Sequence, residues 1–324
     1  MSIILLDGRV ARAELKKKLA DRVAIFKAKH GFSPVLAIIQ VGDRPDTASY
    51  IKAKKKFGLE IGAEVRHVHL NDSVSRDEVI KETRELNADK KVSGIILQLP
   101  LPEALKADKK EIIDAIDPAK DTDGLTSSSV EKWNLATENP VSNSVGQSGA
   151  IWPATARGVG ELLDFYGVDI KGKKVCVIGR SELVGTPVAA LCRAKGAEVT
   201  VCHSKTVDLM KETLASDVII TAVGRPGLVT AKHVKQGQII IDVGINEVRE
   251  ENASSHLSDD NRVDKLEEEI PKRKLVGDVD FNAVLPILGE SGAITPVPGG
   301  VGPMTVLALF ENLLDLTSES KWEK

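Results

Sequence analysis

An α/β fold in two units, each a mostly parallel sheet covered by helices, is predicted by three observations. Strand-length apolar runs alternate with amphipathic helical stretches along most of the chain. A polar stretch rich in Ser, Asn, Gly and Thr, residues 126–151, interrupts that alternation and marks a boundary. Beyond it a buried strand, 174–178, runs straight into a glycine turn that ends at Pro187, a residue suited to the first turn of a helix. The chain has 324 residues, enough for two domains with full cores.

The elements follow in order. The N-terminus reads as a small strand; it lacks a charged segment and is too short for a signal peptide. A helix over 10–29 places Leu15, Leu19, Val23 and Phe26 on one side. Strand 35–41, helix 47–61 and strand 64–70 come next. Helix 75–87 starts at a capping-box pattern, Ser75 with Glu78. Strand 94–99 is closed by Pro100, and helix 109–116 leads into the turn Asp117-Pro118. The second unit has helix 158–165, strand 174–178, helix 187–195, strand 198–202, helix 208–214, and strands 218–222 and 238–243. The charged stretch 247–274 reads as a solvated loop with one or two helical turns, and helix 305–316 closes the chain.

Composition excludes several classes. Hydrophobic residues at 42% and charged residues at 28% are ordinary for a globular protein. A net charge of −3 offers no general nucleic-acid or membrane surface. Cys176, Cys192 and Cys202 lack metal-ligand spacing and read as buried free thiols in a reducing compartment. A cytoplasmic protein is expected, with no metal, no nucleic-acid partner and no membrane partner.

Three places carry chemistry. The segment from Pro296 to Thr305 packs three prolines and three glycines into ten residues. It is either a turn-rich connector or a rigid loop whose small residues let a ligand approach the backbone. In the turn after strand 174–178, Gly179 keeps the first glycine of a dinucleotide fingerprint, while Ser181 and Val184 replace the other two. The following strand ends Cys202-His203-Ser204-Lys205-Thr206, without the acid that an NAD site uses for the ribose 2′-hydroxyl. Arg180, His203 and Ser204 suit a 2′-phosphate instead, so NADP is expected over NAD. In the first unit Tyr50 and Lys54 share a helix face, either as a structural contact or as part of a site. Gln98 ends a purely hydrophobic strand where ligands of open α/β sheets bind, and Asp123 lies in a turn.

Taken in order, these residues resemble the bifunctional methylenetetrahydrofolate dehydrogenase/methenyltetrahydrofolate cyclohydrolase family, the FolD type. The resemblance runs through Tyr50-x-x-x-Lys54, the stretch from Gly94 to Pro102 that holds Gln98, and Lys120-Asp121-Thr122-Asp123-Gly124. It continues through Gly179-Arg180-Ser181, Val201 to Thr206, Asp242 to Asn246, Gly277 to Phe281, and the Pro/Gly segment. It implies two α/β domains flanking a cleft: a folate-binding catalytic domain over 1–150, rejoined by the C-terminal helix 303–324, and a Rossmann-like NADP-binding domain over 151–302. It also implies a homodimer acting on tetrahydrofolate derivatives. Lys54 and Gln98 would form the reactive centre, Tyr50 would stack on the pterin, and Asp123 would accept the pterin's donors. Gly299, Gly300 and Pro303 would line the folate cleft, and Gly179, Arg180, Ser181, Ser204 and Ile245 would hold NADP. Lys54 is expected to be neutral, or restrained by hydrogen bonding, when the methenyl cation forms.

The chain departs from the family at Pro153-Ala154-Thr155-Ala156, where Pro-Cys-Thr-Pro is usual, which implies a looser turn beside the cleft. Thr47 stands for a serine, and 134–147 and 247–274 read as surface insertions. Three other readings stay open: an NADP dehydrogenase of shikimate type, a non-catalytic folate-binding protein, and a dehydrogenase without the hydrolase step.

Overall fold

The computed structural model describes residues 3–138, 150–249 and 273–318. Two parallel sheets form, as the alternation predicts. The smaller holds β2 (Val35–Val41), β3 (Glu64–Leu70) and β4 (Val92–Leu97) in the order β3-β2-β4. Central β2 is buried along its whole length, as its apolar run, broken only by Gln40, requires. Around it lie α1 (Gly8–His30), α2 (Pro45–Ile61), α3 (Arg76–Ala88) and α4 (Lys109–Asp114). The capping box at Ser75 forms on both sides, with the Ser75 N–H donating to Glu78 at 2.9 Å.

The larger sheet has six parallel strands in the order β1-β11-β8-β7-β5-β6. They are β1 (Ile4–Leu5), β5 (Lys174–Ile178), β6 (Glu198–Cys202), β7 (Val218–Thr221), β8 (Ile239–Asp242) and β11 (Ala293–Ile294). The chain passes from β5 outward to β6, then returns to β7 on the other side of β5. The carboxyl ends of β5 and β7 are therefore a topological switch point, where α/β sheets take their ligands. Its helices are α6 (Ala154–Phe165), α7 (Gly185–Ala194), α8 (Leu209–Ala215) and α9 (Phe281–Leu288).

Several expectations need correction. Strand β1 pairs with β11 in the larger sheet, so the first residues do not lie with the rest of 1–150. The supposed polar break contains α5 (Ser127–Glu138), which takes in the start of the expected insertion at 134–147; residues 139–149 lie outside the described residues. Thr126 and Asp121 cap that helix: Ser129 N–H donates to Thr126 Oγ1, and Ser129 Oγ donates to Asp121. Its Trp133 stacks on Trp152, ring centroids 6.0 Å apart. The ends of the charged stretch form a hairpin, β9 (Asn246–Arg249) with β10 (Arg273–Val276), and 250–272 lie outside the described residues. Pro153-Ala154-Thr155-Ala156 is no loosened turn, because α6 starts at Ala154 and buries Ala154 and Ala156.

The last helix, α10 (Val301–Ser318), begins four residues before the expected start and packs on α6, α1, α2 and β4. Phe310 meets Phe57 of α2 with ring centroids 5.4 Å apart. Arg157 of α6 is buried against this helix; burial disfavours its charge, but Asp315, Glu311 and Glu161 outweigh that and raise its pKa. Fully buried Asn312 accepts from Arg157 and donates to the carbonyls of Thr122 and Trp152, both at 2.9 Å. The C-terminal helix thus clamps the two segments that carry Asp123 and the start of α6.

Candidate active site

A cavity of about 420 Å³ lies between the two units. The first unit lines it with Tyr50, Lys54, Gln98 and Asp123, and the second with Leu183, Val184 and Ile245. Tyr50 and Lys54 stand one turn apart on α2, as their spacing predicts. Gln98 follows the last residue of β4, and its N–H still donates to Ile39 of β2 at 2.8 Å. Its side chain is held at both ends: Nε2 donates to the Leu99 carbonyl at 3.0 Å, and Oε1 accepts from Lys54 Nζ at 2.8 Å.

Burial pushes the Lys54 pKa down, and the Asp123 charge only partly opposes this. Part of the side chain still reaches the cleft, so the amine is desolvated by its walls without being sealed off. A neutral amine can give one hydrogen to Gln98 and keep its lone pair for another proton.

Asp123 sits in a tightly built turn. Asp121 beside it accepts from the N–H groups of Gly124 and Thr126, and the Asn312 clamp fixes Thr122. Burial raises the Asp123 pKa; Lys54 and a hydrogen bond from the Ala154 N–H work against that, and the Asp121 charge adds to it. An acceptor so placed and so poorly solvated is ready for a partner with adjacent N–H donors.

Gly299, Gly300 and Pro303 do not line this cavity. They line a second one of about 360 Å³, which shares Val243, Ile245, Val301 and Gly302 with the first as lining residues. The loop backbone also serves chain packing: a Cβ on Gly8 at the start of α1 would lie 1.8 Å from the Gly300 carbonyl oxygen. Thr47, Thr155 and Thr305 also face the first cavity, and the sequence reading gave Thr305 no role.

The other expected residues gather at the carboxyl ends of β5 and β6. Gly179 has φ 122° and its N–H donates to the Cys202 carbonyl at 2.8 Å. A Cβ there would lie 2.4 Å from the Ala222 carbonyl oxygen. Gly185, one position past the fingerprint's third glycine, makes the close approach, since its Cβ would lie 2.4 Å from Gly179 O. Ser181 caps α7, accepting from Val184 and Gly185 N–H groups at 3.3 Å. Arg180 and Ser204 are exposed at this edge, with Ser204 inside the tight turn 203–206. A narrow glycine cradle, a helix start and no acid at the carboxyl end of β6 fit a dinucleotide bearing a 2′-phosphate.

Asp242 and Asp278 stand in stretches that carry the resemblance, but the sequence reading assigned neither a role. Asp242 accepts from the N–H groups of Gly244, Asp278 and Val279, and burial pushes its pKa up to about 7.

Known proteins share this arrangement. Residues 6–123 match the tetrahydrofolate dehydrogenase/cyclohydrolase catalytic domain, and residues 153–321 match the NAD(P)-binding domain of the same family. The bifunctional protein FolD of Staphylococcus saprophyticus is 37% identical over 310 residues, 96% of this chain and 95% of that protein. That of Staphylococcus aureus strain Newman is 39% identical with the same coverage. The solved structure of the bifunctional enzyme FolD from Campylobacter jejuni matches with a TM-score of 0.81 at 37% identity, over 97% of this chain and 98% of that one. The Trypanosoma brucei enzyme, complexed with NADP cofactor and inhibitor, gives 0.82 at 34% identity, over 98% and 97%. By sequence over both units and by fold, this chain belongs to the tetrahydrofolate dehydrogenase/cyclohydrolase family.

Proposed function

We propose that both reactions of this family run at the one cleft around Lys54. The enzyme oxidises 5,10-methylenetetrahydrofolate to 5,10-methenyltetrahydrofolate with NADP and hydrolyses the product to 10-formyltetrahydrofolate. The observation that carries the one-cleft reading is the desolvated Lys54 amine, 2.8 Å from Gln98, in a cavity lined by both units.

Asp123 accepts the pterin's amino and ring N–H donors. Those donors favour its ionised form and offset the cost that burial imposes on it. Tyr50, about half exposed, offers its ring face to the pterin. The bound dinucleotide supplies the hydride acceptor. Gly179, Arg180, Ser181, Ser204 and Ile245 hold it, and Arg180 and Ser204 meet the 2′-phosphate. Gly299, Gly300 and Pro303 shape the far side of the folate site.

Losing hydride leaves a cation on the one-carbon bridge and requires no proton removal. A permanent charge on Lys54 would oppose that step; the lowered pKa lessens the opposition. In hydrolysis, water bonds to the bridge carbon. Lys54 takes a proton from it and returns one to the folate nitrogen as that carbon–nitrogen bond breaks, and the remaining hydroxyl proton leaves to solvent as the formyl carbonyl forms. Gln98 holds the amine in place throughout.

The same reading carries the division into a folate unit, 1–150 with the C-terminal helix, and an NADP unit, 151–302. Strand β1 crosses from the first into the second. It also carries a homodimer in the cytoplasm, where buried free thiols persist. No helix among the described residues is long and apolar enough to cross a membrane.

One spectrophotometric assay tests the reading. Methylenetetrahydrofolate is mixed with NADP or NAD. Nucleotide reduction with transient methenyl product supports it; stable methenyl product indicates a dehydrogenase alone; no reduction rejects it.

A further inference from the structure

The carboxylate of Asp278 is fully buried and collects five donors, from the last residue of β7 and the loop after it and from the first residue of β9, where the loop after β8 ends. Oδ2 accepts from Thr221 Oγ1 at 3.1 Å, Val223 N–H at 2.7 Å and Gly224 N–H at 3.1 Å. Oδ1 accepts from Arg225 N–H at 2.8 Å and Asn246 Nδ2 at 2.9 Å. No catalytic step uses it. Yet both loops it gathers border the dinucleotide edge of the sheet. The first leaves β7 at the switch point, and its Ala222 carbonyl lies against Gly179 so closely that no Cβ fits between them. The second leaves β8 and carries Ile245, next to Asn246, into both cavities.

Three consecutive N–H groups turned onto one fully buried carboxylate fix the path of 223–225, whose residues are themselves exposed and give that path no packing of their own. The Gly179 turn abuts that path, so its position depends on it. We infer that Asp278 is a positioning residue for the dinucleotide: it sets the Gly179 cradle and the Ile245 segment without touching the ligand. This rests on the reading that NADP lies along that edge.

Asparagine at 278 keeps the shape but has one acceptor oxygen and turns an NH₂ group toward N–H donors. Steady-state kinetics on Asp278→Asn, Asn246→Ala and Arg180→Ala test the inference, with cyclohydrolase turnover of methenyltetrahydrofolate, measured without nucleotide, as the folding control. Asp278→Asn is expected to raise the KM for NADP about tenfold or more, from weakened charge-assisted bonds. Its folate KM and cyclohydrolase rate should change much less than its NADP KM, because Asp278 itself lines neither cavity. Asn246→Ala removes one donor and should raise the NADP KM roughly threefold. If Asp278→Asn does not fold, Asn246→Ala decides alone: a selective rise supports the inference and an unchanged KM overturns it. An unchanged NADP KM in a folded Asp278→Asn, while Arg180→Ala weakens NADP, overturns this inference and leaves the binding edge standing. Unchanged values in both Asp278→Asn and Arg180→Ala overturn the inference and the binding edge together.

Discussion

Lys54 and Gln98, forty-four positions apart in the sequence, meet at 2.8 Å between Nζ and Oε1. The lysine comes from a helix and the glutamine from the end of a sheet strand, so neither local conformation can hold the contact alone. The Gln98 amide is in turn held by its own bond to Leu99. A desolvated amine is thereby kept in one orientation, which an acid–base catalyst needs.

The pH dependence of hydrolysis follows from the sign of the Lys54 shift. Burial lowers its pKa from the ordinary lysine value of 10.5, so the neutral base appears at lower pH than for a free lysine. The cyclohydrolase rate should rise with pH through that lowered pKa and level off below 10.5. A rate–pH profile over the enzyme's stable range checks this. A profile that tracks an unshifted lysine would count against a desolvated base.

Asp123→Asn should separate binding from stability. Folate binding should weaken by roughly 1.5–3 kcal/mol, because an amide cannot accept from both pterin donors with a charge. NADP affinity should not change. Burial makes the Asp123 charge costly in the folded protein. The variant should therefore lose no thermal stability, which calorimetry would show.

Cofactor choice depends on the edge beyond β6. Arg180→Ala should raise the KM for NADP about tenfold or more by removing a charge-assisted contact worth ~1.5–3 kcal/mol, and should leave NAD turnover nearly unchanged. Ser204→Asp should weaken NADP further by repelling the 2′-phosphate. Side-by-side kinetics with both nucleotides measure this directly.

Asn312 is a structural test remote from the chemistry. Asn312→Leu removes a donor from each of the Thr122 and Trp152 carbonyls and a partner of buried Arg157. A loss of about 2–5 kcal/mol is expected in denaturant unfolding. An unchanged midpoint would show that the clamp contributes nothing.

Much of the architecture was legible because alternation of strand and helix is a period signal, and β2, β5 and α3 carry it cleanly. Gln98 could be placed in a site because strand ends in such sheets face ligands. Helix α5 was hidden by Ser127-Ser128-Ser129, poor helix formers on their own, which are rescued by caps from Asp121, Thr126 and Asp114. Strand β1 is two residues long, too short for any pattern to say which sheet it joins. The Pro/Gly loop read as a ligand loop, and its Gly300 carbonyl proves to lie so close to the start of α1 that only a glycine, Gly8, fits there. Asp278 and Asn312 act through groups far away in sequence, and no spacing encodes that. Asp278 stood in a stretch that carries the family resemblance, without a role, and Asn312 showed only as a polar side chain among strongly apolar neighbours.

The central claim is that Lys54 is the acid–base group of the hydrolytic step. Lys54→Met keeps most of the stem and removes the amine. Both half-reactions of this variant should be measured under one set of conditions, beside the folate affinity. Hydrolysis of methenyltetrahydrofolate should fall by ~100-fold or more, while folate still binds through Tyr50 and Asp123 and methenyl product accumulates when methylenetetrahydrofolate and NADP are supplied. Hydrolysis at the unmodified rate in Lys54→Met would contradict the claim.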